Sequence, residues 1–144
     1  MSVNAPVTAV PQFLILLRGT QFEQRLSMQD MQIAMGNFTE WVSNLALQGK
    51  LKIGQPLAHE GKYITGSKER TVSDGPFAES KEAVGGYLLL EVADMDEAVA
   101  IGRECPLLDW GGQVEVRPIV QQCPTMQQVD ARLAAAAAAA ALQG

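Results

Sequence analysis

The sequence predicts an α+β domain: a split βαβ sandwich with an inserted β-hairpin and both helices on one sheet face. Three observations carry that prediction. Apolar runs of strand length alternate with helical spacing in the order strand, helix, strand, strand, helix, strand, once a small hairpin is set aside. Glycines and prolines punctuate the changes between them. A chain of 144 residues, 47% apolar and 19% charged, suits one domain and can bury its own core.

Residues 1–9, with Asn4, Pro6 and Thr8, are expected to form a flexible lead-in to a domain spanning residues 10–120. Phe13 to Leu17 is a continuous apolar run, short enough for a strand and too short for a helix. Arg18-Gly19 ends it. Ser27, with Asp30 three positions on, resembles an acidic variant of the capping box. Met31, Ala34, Met35, Phe38, Trp41, Val42 and Leu45 then recur at spacings of three and four, the apolar stripe of a long helix that Gly49 stops.

Lys50 to Leu57 is predicted as the second strand, with Leu51, Ile53 and Gln55 alternating against Lys52 and Gly54. Pro56 places its far end at an edge. Lys62–Thr65 and Glu69–Ser73 flank Gly66-Ser67-Lys68 as a short hairpin, and Asp74-Gly75-Pro76 signals a chain reversal. Gly85-Gly86 opens a strand from Tyr87 to Val92. Asp94 and Glu97 then form a capping box for a short helix that Pro106 ends. Gly111-Gly112 precedes the last strand, Gln113 to Ile119. Residues 121–144 stand apart. Thr125 to Leu142 contains eight consecutive alanines, Ala134 to Ala141, which favour helix but bury little area. A solvated low-complexity tail is expected there, with a frayed or partner-clasping helix as the alternative.

Sixteen acidic against eleven basic residues give a formal charge of −5. That field repels phosphate backbones and anionic membrane surfaces, so neither nucleic acid nor membrane is an expected partner. Outside the alanine tail no apolar run reaches the length of a membrane span. Met1 to Pro11 shows neither the basic nor the apolar region of a secretory signal, so a cytoplasmic setting is expected. Two cysteines, Cys105 and Cys123, and one histidine, His59, leave no set for a multi-Cys/His zinc site. With no P-loop and no GxGxxG element, no cofactor is expected.

The segment Thr71-Val72-Ser73-Asp74-Gly75-Pro76-Phe77-Ala78-Glu79-Ser80-Lys81-Glu82 resembles the signature of the YCII-related family, in its DGPF-domain branch. Gly85-Gly86-Tyr87, Asp94 to Ala98 and Gly111 to Pro118 match in the same order. The resemblance covers about residues 10 to 120. It implies a ferredoxin-like domain that pairs through its sheet faces as a dimeric α+β barrel.

The residues favour pairing independently. Leu88, Leu90 and Val92 share one strand face, whereas Tyr87, Leu89 and Glu91 share the other; Val114 and Val116 likewise oppose Gln113, Glu115 and Arg117. The apolar set belongs under the helices. The mixed set suits a second copy, or a pocket between copies, better than bulk water.

Asp74 is the first catalytic candidate: a carboxylate beside Gly75 at a tight turn serves acid/base chemistry if partly buried, or simply holds the turn. Glu79 and Lys81 either line the same cleft or belong to a solvated loop. Gly75, Pro76, Phe77, Tyr87, Glu115 and Arg117 are the ligand-binding candidates. Arg117 either holds a carboxylate or pairs with Glu115 or Glu91. His59 reads as a surface histidine. Cys105, at a helix C-terminus, is disfavoured as a thiolate. Phe38 and Trp41 are core residues first.

Family members thought to be catalytic share a histidine near the first helix, paired with an aspartate. Here Leu26-Ser27-Met28-Gln29-Asp30-Met31 holds no histidine, so that dyad is not carried onto this chain. The leading expectation is a small homodimer that binds a small organic molecule, an anion included, near the DGPF segment. One alternative is a cofactor-independent lyase or isomerase using Asp74 or Glu79, with Arg117 orienting the substrate. Another is a protein-interaction module, since genes of this branch are often reported beside alternative sigma factors.

Overall fold

Phe13, Ile15 and Leu17 are buried along the first strand, β1 (Gln12–Arg18), while Leu14 and Leu16 between them are half-buried. A strand apolar on both faces belongs in the middle of a sheet, and β1 is a central strand. This arrangement is seen in a computed structural model that describes residues 10–75 and 83–143. The other members of the sheet are β2 (Leu51–Pro56), β5 (Val84–Glu91) and β6 (Gln113–Pro118). Their order is β2-β5-β1-β6, and every neighbouring pair is antiparallel. Helix α1 (Met28–Leu47) carries the chain from β1 to β2, and α2 (Met95–Arg103) carries it from β5 to β6. Two interleaved split βαβ units result, which is the ferredoxin-like α+β fold.

Each helix begins where its cap predicts. Ser27 Oγ accepts from the Asp30 N–H at 3.1 Å, and Asp94 Oδ1 accepts from the Glu97 N–H at 2.8 Å. Gly49 closes α1 at φ +74°, a conformation in which a β-carbon would be strained. Along α1, Ala34, Trp41 and Leu45 are buried against the sheet, and Met31, Phe38 and Val42 pack at the margin of the core. Met35, on the same predicted stripe, is 42% exposed. From α2, Ala98, Ile101 and Gly102 are buried. A β-carbon at Gly102 would lie 3.2 Å from Val114 and 3.4 Å from Val116, so its absence lets α2 settle closely on β6. Pro106 opens a 3-10 turn that extends to Trp110 and buries Leu107.

Two expectations change. The predicted alternation of β2 is broken by a register shift between Leu51 and Ile53. Leu51 lies opposite Leu90 and Gly54 opposite Leu88, on the helix side; Ile53 lies opposite Leu89, on the open side. Of the two readings of the tail, the structure has the helical one, α3 (Pro124–Gln143), with no buried residue. The hairpin, β3 (Lys62–Thr65) with β4 (Thr71–Asp74), forms a two-stranded sheet of its own, with every residue exposed. Among the described residues, no helix is long and apolar enough to cross a membrane.

Candidate functional site

A cavity of about 500 Å³ lies between α1 and the sheet, toward the end where β2 leaves and β5 begins. Its volume falls in the range of small-molecule sites. Met31, Met35, Phe38 and Val42 face it from α1; Leu17, Phe22, Leu88 and Leu107 line it from the core side. Backbone geometry keeps it open. A β-carbon on Gly54 would lie 2.6 Å from Leu88 Cδ2, and one on Gly86 would lie 3.1 Å from the Gln55 carbonyl oxygen. The exposure of Met35 follows from the same space, because its side chain borders a void instead of a packed neighbour.

One end of the cavity is polar. Thr20, His59 and Gly85 line the main cavity and also a small annex of about 20 Å³, which Gln21 and Val84 also border. Thr20 follows Gly19, whose φ of +66° turns the chain off β1. A β-carbon on Gly85 would lie 1.8 Å from Thr20 Oγ1, so only glycine accommodates the hydroxyl at that spot. The Leu57 N–H donates to the Gly85 carbonyl at 3.0 Å, which holds the strand leading to His59 beside the start of β5. His59 is exposed, as expected of a surface histidine, yet its position at the mouth of a cavity was not expected.

The open face of the sheet is the mixed surface that the alternation predicts. Register places Ile53, Leu89, Leu14 and Arg117 in one row, and Gln55, Tyr87, Leu16 and Glu115 in the next. Charged groups surround this apolar centre. Lys52 pairs with Glu91 at 3.4 Å, and Gln12 donates to Glu91 at 3.1 Å. Arg18 Nε and Arg117 Nη1 both donate to Glu115, at 3.1 and 3.3 Å. The Arg117 hydrogen bond and then the Arg18 hydrogen bond and charge hold the Glu115 carboxyl below its ordinary range.

The predicted site residues therefore separate. Asp74 ends the hairpin, with its side chain 79% exposed and ion-paired to Lys62, and it lines neither cavity. Gly75 is buried beneath the Tyr63 ring, where a β-carbon would lie 2.0 Å from Tyr63 Cε2, and its N–H donates to the Gly61 carbonyl at 3.0 Å. Pro76, Phe77, Glu79 and Lys81 lie outside the described residues. Tyr87 shares the open-face row with Glu115 and is also among the residues that border the main cavity, and on that open face Arg117 pairs with Glu115 of its own chain. Sequence reasoning missed Thr20, Met35, Thr39 and Gln55 as lining residues. Only the Gly85-Gly86 pair signalled them, since adjacent glycines mark a close approach.

The cysteines differ. Burial pushes the Cys105 thiol up, against opposing hydrogen bonds from the Leu107 and Leu108 backbone. Cys123 caps α3, and the N–H groups of Met126 and then Thr125 draw its thiol down. Among the described residues no three His, Cys, Asp or Glu side chains gather as a metal-binding set.

Comparison with known proteins bears on family. An uncharacterized protein of Rhizobium meliloti (strain 1021) is 40% identical over 57 residues, a match covering 39% of this chain and 46% of the relative. The chain thus matches less than half of that relative's length. A solved structure of 5-chloro-2-hydroxyhydroquinone dehydrochlorinase from Burkholderia phenoliruptrix AC1100, in complex with 2,5-dihydroxybenzoquinone, is similar at 17% identity with a TM-score of 0.38. That similarity covers 74% of this chain and 90% of the other. The profile of the YCII-related domain matches residues 23–123, well over half of the sequence and all of β2 to β6 with both sheet-packed helices. The chain belongs to the YCII-related domain family.

Proposed function

We propose that this protein binds a small organic molecule in the cavity beneath α1 and that it works as a homodimer paired through the open sheet face. The observation that carries the first part is a cavity of about 500 Å³ with an apolar lining and a few polar groups convergent at one end. Asp74 lines neither of these two cavities, so this reading gives its carboxylate no part in binding. The observation behind pairing is the row of Ile53, Leu89 and Leu14, apolar side chains at the centre of a charged rim.

The test of binding is a fluorescence titration with N-phenyl-1-naphthylamine, an uncharged aromatic probe. Wild-type protein should bind it saturably at one site per chain, and Val42→Phe, which fills the cavity, should weaken it at least tenfold without lowering the melting temperature. Binding that Val42→Phe leaves untouched would refute the assignment. For assembly, native mass spectrometry should show a dimer that Leu89→Arg converts to monomer; a wild-type monomer would refute pairing.

A further inference from the structure

The cavity lining also limits what its occupant can be. Among the described lining residues there is no Asp, Glu, Lys or Arg, and His59 supplies the one imidazole. The imidazole is not placed at random among the apolar side chains. It shares the annex with Thr20, so the two hydrogen-bonding groups mark one end of the cavity. The Thr20 hydroxyl is seated against Gly85, where a β-carbon would lie 1.8 Å away, and this fixes it at that end. The annex is the size of a single water, with Gln21 as a further polar wall.

We propose that the occupant is an amphipathic monoanion, with its apolar body beneath α1 and a single carboxylate or sulfonate head at the Thr20–His59 end. This assignment rests on the cavity being the binding site. The Thr20 hydroxyl and an imidazole N–H donate to the head, and Met31, Met35, Phe38 and Val42 cover the body. Among the described lining residues a second anionic group would meet no Lys or Arg, which disfavours dicarboxylates and nucleotide phosphates, and a cationic ligand would meet no carboxylate.

Two probes that differ by one group provide the test. 8-Anilinonaphthalene-1-sulfonate carries one sulfonate on the ring system of N-phenyl-1-naphthylamine, which carries none. Both are titrated into wild-type protein, Thr20→Val, His59→Leu and the double variant, with Val42→Phe as the blocked cavity. The sulfonate probe should bind more tightly than the uncharged one to wild type. It should lose about tenfold in the double variant, as expected for hydrogen bonds to a charged group. The uncharged probe should change less than twofold. Gly85→Ala, which displaces the Thr20 side chain, should reproduce part of the selective loss. If Val42→Phe blocks both probes but Thr20 and His59 variants do not discriminate between them, the head-group assignment falls and the cavity reading stands. If neither probe binds saturably, both fall.

Discussion

Gly54→Ala tests whether the space beneath α1 is empty. The added methyl would lie 2.6 Å from Leu88 Cδ2 and 3.5 Å from the Tyr87 carbonyl oxygen. In a close-packed core such an overlap costs about 1–3 kcal/mol. Leu88, though, borders the cavity, and its Cδ2 is the far end of a flexible side chain that can turn into the free volume. The cost is then that of a displaced rotamer, about 0.5–1.5 kcal/mol. Replacing glycine offsets about 0.4–1 kcal/mol of this by restricting the unfolded chain. Urea denaturation should therefore show a stability change within about 1 kcal/mol at an unaltered m-value. Binding of N-phenyl-1-naphthylamine should weaken severalfold, because Leu88 now occupies part of its space. Gly112→Ala is the control: its β-carbon would lie 2.8 Å from the Leu107 carbonyl oxygen, a backbone atom with nowhere to turn. That substitution should cost about 2–3 kcal/mol. Equal losses at both glycines would mean that the space beside Leu88 is not free, and the reasoning would fail.

Three further outcomes follow from the geometry. Cys123 should alkylate in the native protein along a rate–pH curve displaced to lower pH than that of an ordinary cysteine, because its thiolate is favoured. Cys105 should label only in denaturant; mass spectrometry after iodoacetamide treatment at pH 6 to 9 checks both, and native labelling of Cys105 would contradict its burial. Asp74→Asn removes an ion pair whose partners are 79% and 67% exposed, so stability should fall by less than about 1 kcal/mol and probe affinity should not change. A selective loss of affinity would instead place Asp74 at the site. Ser27→Ala should cost about 0.5–2 kcal/mol in thermal or urea unfolding through loss of the hydrogen bond to the Asp30 N–H.

The sheet and its helices were legible because local signals and packing agree. Ser27 and Asp94 have the spacing of caps and are caps; β1, apolar on both faces, is central; the alternation in β5 and β6 predicts which side chains face the helices. β2 departed because a register shift is set by the partner strand, and its own residues carry no mark of one. The site was less legible for a different reason. The DGPF segment stands out in sequence, but Asp74 faces solvent from a hairpin that stands outside the main sheet. The cavity gathers Thr20, Thr39, and Gln55 with His59 from three separate stretches of chain, so no local spacing announces it. Its one sequence trace is Gly85-Gly86, which marks where the backbone must pass close to Thr20 and Gln55.

Helix α3 has a consequence for how the molecule unfolds. Its 20 residues extend roughly 30 Å at the helical rise per residue, and none is buried. Among the described residues, alanine propensity, its own hydrogen bonds and the Cys123 cap hold it, so it gains little cooperativity from the sheet. On heating, ellipticity should decline gradually from α3 before the domain melts in a single step. Amide protons along α3 should exchange within the dead time, while those of β1 and β5 wait for global opening. A two-state fit to the whole curve would average a fraying rod with a cooperative domain, and its enthalpy would belong to neither.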